Sequence, residues 1–289
     1  MARVETNMSP SPPTLVIRPS RGWAAVDLRE LWSYRELIAH LAARTVTVRY
    51  KQTLLGIFWA ILNPFLTMIV FSIFFGRLAG VSSDGVPYPI FSYTALLPWN
   101  LFTSGLTEGS RSLLSNRAMV TKVYFPRLAL PLAAVVTGIV DLIIAFALLL
   151  GIMFYYNRFQ GYEFNLSWAW LTLPFFVLLA LATALGMALW LSALNVRYRD
   201  VNYITPFIVQ FLLFLTPIVY SATVVPEQWQ WLYSLNPMAS VVTGFRWALL
   251  GTANPPEMSL AVSVFAAMLI LISGTYFFRR MERSFADTI

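Results

Sequence analysis

Few side chains in this sequence could do chemistry, and they are thinly spread. There is no cysteine and a single histidine, His40. Disulfides and thiolate metal sites are therefore excluded, and neither a histidine-rich metal centre nor a Ser-His-Asp triad is expected. No GxxxxGK[ST] phosphate loop, HExxH helix or obvious paired-carboxylate site occurs in the 289 residues. The acid that stands out is Asp141, in the apolar run GIVDLIIAFALLLG. An ionised carboxylate in lipid costs roughly 2.5–3.5 kcal/mol on insertion scales, so Asp141 is expected to face protein or water. It is either a pore or coupling residue, or a tertiary tie that fixes helix packing or lies nearer an interface than its run implies. The second reading is preferred, because no second embedded acid completes a proton relay. Glu108 and Arg111, three residues apart, are expected to pair on a helix.

The elements that must position these groups are apolar. Hydrophobic residues make up 58% of the chain and charged residues 11%, against about 25% charged in soluble domains. Lipid is the expected solvent. Long runs cover 54–76, 86–107, 128–156, 168–194 and 258–278, each long enough for the ~20 residues of a bilayer crossing. A shorter run at 203–220 holds Pro206 and Pro217 and is read as a sixth crossing. The semi-apolar stretch 224–250 is read as one or two half-helices that enter from the outer side and return, buried against protein or water. Asn63-Pro64 lies inside the first crossing, where proline frees a carbonyl and can bend the helix.

Charge orients this arrangement. The loop 111–127 holds Arg111, Arg117, Lys122 and Arg127 with no acid, and basic residues also dominate 197–200 and 279–287. The alternate loops carry little net charge. The positive-inside rule then puts both termini in the cytosol, and the net charge of +7 reads as a topology signal, not as a nucleic-acid surface. Residues 1–30 are expected to be a cytosolic tail and 281–289 a second one. Between them lie a helix over 31–51 and a six-helix membrane domain over 52–280. In the helix, Leu31, Tyr34, Ile38, Leu41 and Thr45 follow helical spacing, which implies an amphipathic element on the inner membrane surface with Arg49 and Lys51 near the phosphates. Aromatics on the first crossing and around the broken segment (Phe58, Trp59, Phe65, Phe207, Phe211, Phe214, Tyr220, Trp229, Trp231) could stack on sugar rings while letting a polymer slide.

Four stretches carry a family resemblance. They are RTVTVRYKQTLLGIFWAILNP from Arg44, VTKVYFPRLALP from Val120, NVRYRDV from Asn195 and LNPMASVVTGFRWALLG from Leu235. In this order they resemble the transmembrane subunit of a type-2 ABC exporter of the polysaccharide class, which includes O-antigen, capsular polysaccharide and teichoic acid exporters. The first resembles RDLKxRYxxSxLGxxWxxxxP, with Thr45 where an acid is common.

The resemblance implies an all-α polytopic homodimer with an N-terminal interface helix and re-entrant outer gate helices. Two copies of a separate ATP-binding subunit would supply ATP and Mg2+ chemistry, while this chain binds no cofactor and is not an enzyme by itself. The cargo would be an undecaprenyl-diphosphate-linked polysaccharide in the bacterial inner membrane, among membrane lipids. The implied roles are diphosphate attraction by Arg44, Arg49 and Lys51, and coupling to the ATPase subunit by Asn116, Met119, Lys122, Tyr124 and Arg127 in the loop 111–127. Phe58, Trp59, Phe65, Phe207, Phe211 and Phe214 would line the channel. Tyr220, Trp229, Trp231 and Arg246 would belong to the outer gate, with 224–250 as its re-entrant region. A drug or lipid exporter permease of the same superfamily is the alternative, with a membrane scaffold and a membrane glycosyltransferase behind it.

Overall fold

The computed structural model describes residues 28–51, 56–163, 167–252 and 258–285. The N-terminal tail to residue 27, the motif residues 52–55 and the C-terminal residues 286–289 lie outside the described residues. All regular structure among the described residues is helical. A short α1 (Leu28–Ser33) leads into α2 (Arg35–Lys51), and α3 (Gly56–Phe71) continues as a π-helix over Ser72–Leu78. Then come α4 (Tyr88–Ser115), α5 (Arg117–Lys122), α6 (Ala129–Gln160), a 3₁₀ turn at Trp168–Thr172 and α7 (Leu173–Arg197). The chain finishes with α8 (Val201–Leu215), α9 (Glu227–Tyr233), α10 (Pro237–Leu250) and α11 (Met258–Glu282).

Every apolar run expected from the sequence coincides with a helix, and the stretch 224–250 forms the two short helices α9 and α10. Among the described residues, four helices are long and apolar enough to cross a membrane: Phe58–Leu78, Ala129–Gln160, Trp168–Arg197 and Ser259–Glu282. α4, with 28 residues, is longer than two of these but more polar, and α8 has only 15 residues. α4 can be polar because it is enclosed by α6, α7, α10 and α3. Phe91, Tyr93, Trp99 and Phe102 are buried along it. With lipid tails as apolar as leucine, such burial gains close packing more than release of water.

A second cluster closes one end of the bundle. Leu113, Val120, Phe125, Leu128, Phe278 and Phe285 pack there, with Leu31, Tyr34, Ile38 and Leu41 laid against them. The stripe read from the sequence is thus the partly buried stripe along α1 and α2. α2 does not lie free on a surface, however. Leu41 and Arg44 border Leu130 and Ala133, and Arg49 reaches Asp141, so α2 runs along the first three turns of α6.

α7 and α11 cross at two glycines. A Cβ on Gly274 would sit 2.3 Å from the Gly186 carbonyl oxygen, and one on Gly186 would sit 2.8 Å from the Leu271 backbone. Backbone cannot yield as a flexible side chain can, so Gly274→Ala should push the helices apart at a cost of about 1–3 kcal/mol. The expected result is a lowered unfolding midpoint of the purified protein in detergent. Gly151→Ala, whose Cβ would meet nothing within 4 Å, should not lower it.

Candidate functional site

Three polar constructions interrupt the apolar bundle. The first joins α2, α4 and α6. Arg49 donates from Nη1 to Asp141 Oδ2 at 2.6 Å and places Nη2 3.8 Å from Glu108 Oε1. Tyr50 donates its hydroxyl to the other Asp141 oxygen. Glu108 therefore pairs with Arg49 and not, as its spacing implied, with Arg111. Burial first, then the hydrogen bond to Asp141, pushes the Tyr50 phenol above its ordinary range, which keeps it a donor. Asp141 is held by two side chains from one helix, the tertiary tie preferred from the sequence.

Length arithmetic places this cluster. α6 has 32 residues, about 48 Å at 1.5 Å per residue, against a hydrocarbon core of ~30 Å. Phe65 of α3 and Leu148 of α6 line one groove, so Phe58, seven residues earlier, is level with about residue 141. Asp141 thus stands where α3 begins, with the first three turns of α6 as overhang. Beside the cluster is a cavity of about 340 Å³ lined by Arg44, Thr45, Arg49, Glu108, Ser112 and Asn116 among others. Arg44 and Lys51 are exposed, whereas the charge of Arg49 is shared between two carboxylates.

The second construction is α5 and its flanks. Asn116 ends α4, its amide donating to the Ser112 carbonyl at 2.9 Å. Its own carbonyl receives the Met119 and Val120 N–H groups. Met119 and Val120 turn toward the second cluster. Arg117, Lys122, Val123 and Tyr124 face outward, Tyr124 at 65% exposure. Arg127 is anchored inward: its N–H donates to Glu282 Oε1 at 3.3 Å, its guanidinium donates to the Glu282 carbonyl, and it stacks 5.9 Å from Phe285. Of the five residues assigned to this loop, Lys122 and Tyr124 present an outward surface. The nearby turn is locked as well, with Asn195 and Asn202 exchanging amide hydrogen bonds and Asn195 donating to the Ser110 carbonyl.

The third construction is the break between α8 and α10. Arg246 is 3% exposed and donates to the carbonyls of Pro217 (2.6 Å), Ile218 (2.7 Å), Tyr220 (3.1 Å) and Phe91 (3.4 Å). Its guanidinium carbon lies 3.5 Å over the Phe91 ring. Tyr88 donates its hydroxyl to the Val219 carbonyl at 2.7 Å, and Asn236 donates to the Leu215 carbonyl and Thr216 hydroxyl. Ser221 donates to Asp84 at 2.6 Å, which ties in the loop before α4. Arg246 therefore points into the protomer, whereas Trp229 and Trp231 of α9 are exposed. Tyr220 donates to the Phe214 carbonyl and meets the Tyr233 hydroxyl at 3.2 Å. Nothing in the spacing of Arg246 reveals four carbonyl partners. The only sequence signal is a lone arginine in an apolar helix.

Phe58, Trp59, Phe207, Phe211 and Phe214 are more than half exposed, on α3 and on α8, which buries only Val201 and Thr205. Phe65 is turned toward α6 instead.

The profile of the ABC-2 type transporter family matches residues 36–250, a span that contains the three constructions except for Glu282 and Phe285, which anchor Arg127. The chain belongs to the ABC-2 type transporter family and is a multi-pass membrane protein. It is 28% identical over 265 residues to the O-antigen export system permease protein RfbA of Myxococcus xanthus, covering 91% of this chain and 98% of that one. It is 26% identical over 255 residues to the protein of the same name from Klebsiella pneumoniae (88% and 95%). To the polysialic acid transport protein KpsM of Escherichia coli it is 22% identical over 251 residues (84% and 93%). The names of these relatives are those of export and transport proteins.

Two substitutions test the geometry. Asp141→Ala should destabilise the protein by about 2 kcal/mol, the worth of hydrogen bonds to a charged group. A double-mutant cycle with Arg49→Ala in chemical unfolding should show a coupling of about 1–2 kcal/mol. Arg246→Lys keeps the charge, but an ammonium cannot span four carbonyls. Each buried carbonyl left unpaired costs about 1–3 kcal/mol, so hydrogen exchange over 216–224 should accelerate while the second cluster stays protected.

Proposed function

We propose that this chain is the membrane subunit of an ATP-driven exporter that moves a polyprenyl-diphosphate-linked polysaccharide, of O-antigen type, across the bacterial inner membrane. The observation that carries this reading is similarity to O-antigen export permeases over nearly the whole length of both chains. The working unit is a homodimer in which each protomer crosses the membrane six times with both termini in the cytosol. α3 and α8 supply its path. Their exposed aromatics, Phe58, Trp59, Phe207, Phe211 and Phe214, offer a series of weak stacking faces, which suits a cargo that must leave as well as enter. α9 and α10 stand at the outer end as gate helices. No bond in the cargo is broken by this chain.

Two copies of a separate nucleotide-binding subunit, which holds the ATP and Mg2+, dock on the surface of Arg117, Lys122, Val123 and Tyr124. Their motion enters the bundle through Asn116 and Arg127, which tie α5 to α4 and α11. The lipid diphosphate is drawn to Arg44, which lines the cavity between α2, α4 and α6, and to the exposed Lys51 at the end of α2. Arg49, balanced by Asp141 and Glu108, orients the helix that carries them. A second reading, export of a capsular or teichoic-acid-type polymer, draws on the similarity to the polysialic acid transport protein.

The test is ATP-dependent export in proteoliposomes containing the chain and its co-purified nucleotide-binding partner, with a hydrolysis-dead partner as control. Lipid-linked O-polysaccharide should become protected only with the active partner, and preference for a lipid-linked acidic polymer would favour the second reading. Transport of neither, by a complex that hydrolyses ATP, would reject both. Tyr124→Ala combined with Lys122→Glu should lower transport at least tenfold while the isolated membrane subunit keeps its unfolding midpoint.

A further inference from the structure

A groove of about 710 Å³ runs between α3 and α6 at the end of the bundle away from α5. Its walls are two facing helical stripes. Phe65, Met68, Ile69 and Ile73 stand on one side, Leu148 and Ile152 on the other. Along α3 it extends from Phe65 to Gly76, about 16 Å at the helical rise. That is the depth of one leaflet, half of the ~30 Å hydrocarbon core. Ser72 turns its hydroxyl onto the Met68 carbonyl at 2.7 Å, so this polar group in the wall is satisfied within its own helix. Gly151 leaves open space, for a Cβ there would meet nothing within 4 Å. The wall is held in place at Gly76, where a Cβ would come within 2.8 Å of the Tyr88 ring.

The far end of the groove is polar. Arg77 lines it together with Tyr155 and Tyr156. No acidic side chain lines the groove among the described residues. Such a site presents an apolar slot one leaflet deep that ends in a guanidinium and phenol hydroxyls, at the level where headgroups lie. We propose that it binds an anionic phospholipid of the leaflet away from α5, one acyl chain lying in the slot and the phosphate against Arg77. A cation beside the groove favours a net negative headgroup over a zwitterionic one. The π-helix over Ser72–Leu78, wider in girth than an α-helix because its hydrogen bonds run from i to i+5, forms the wall beside Arg77, as π-turns do at functional sites. This inference needs the chain to span a membrane but does not depend on what it transports.

The test uses the full-length protein in nanodiscs of phosphatidylglycerol and phosphatidylethanolamine in equal amounts. After extraction into detergent, native mass spectrometry reads the lipid retained. The native protein should keep phosphatidylglycerol over phosphatidylethanolamine by roughly fivefold, the worth of one surface cation. Arg77→Gln should keep a bound lipid but lose the preference. Gly151→Phe should fill the slot and lose the lipid, with the unfolding midpoint measured in parallel to confirm a folded protein. Equal retention of phosphatidylglycerol by all three proteins would overturn the proposal, as would equal retention of the two lipids by the native one. A further arm adds undecaprenyl phosphate, and its displacement of phosphatidylglycerol at equimolar concentration would also overturn it by making the groove part of a carrier-lipid route.

Discussion

The break between α8 and α10 exposes backbone carbonyls where water is scarce, and much of that end of the protomer is arranged to satisfy them. An unpaired carbonyl in the membrane costs several kcal/mol. Arg246 meets this cost for Pro217, Ile218 and Tyr220 with one planar, multiply donating group, and also reaches the Phe91 carbonyl. Only a guanidinium offers five donors in a fixed fork. Burying that charge is itself expensive, and the ring of Phe91 beneath it recovers part of the cost through the aromatic quadrupole. Tyr88 and Asn236 complete the pairing on either side. Because Phe91 and Tyr88 lie on the enclosed helix α4, the broken segment is fastened to the most buried element of the fold.

The opposite end is organised by polar ties that cross between helices. Arg49 links α2 to α4 and α6 by ion pairs, and Arg127 links the segment after α5 to α11 by hydrogen bonds to Glu282. Both arginines came from basic clusters that read as headgroup or partner contacts. Inside the structure each has local partners, which leaves Arg44, Lys51, Lys122 and Tyr124 as the groups presented outward. A displacement of α5 would thus be transmitted as rigid-body motion through α4 and α11. Packed cores do not deform continuously.

Helical content, the position of each apolar run and the paired short helices of 224–250 were all legible in the sequence, since hydrophobic length and proline placement are local properties. The amphipathic stripe of Leu31, Tyr34, Ile38 and Leu41 was legible for the same reason, although what it packs against was not. The site was legible only in part. Asp141 stood out because a charge in an apolar run has to be explained, and its preferred reading as a tertiary tie agrees with the geometry. Its partners did not stand out, because Arg49 lies 92 residues away and Glu108 had a nearer basic neighbour in Arg111. Phe65 shared its spacing with Phe58 yet faces α6, since helical phase says which residues share a face but not what covers it.

By itself the sequence determined that lipid is the solvent, that the elements are helices, that the basic loops alternate, and which motifs carry the kinship with ABC-2 transporters. These follow from composition and from periods of a few residues, which act through local hydrogen bonding and transfer from water. Only the tertiary structure decided which charges neutralise one another, which carbonyls Arg246 satisfies, which aromatics stay exposed, and that α3 and α6 stand apart far enough to leave a groove. Those outcomes depend on distances of a few ångströms between residues far apart in the chain, and no local preference encodes them.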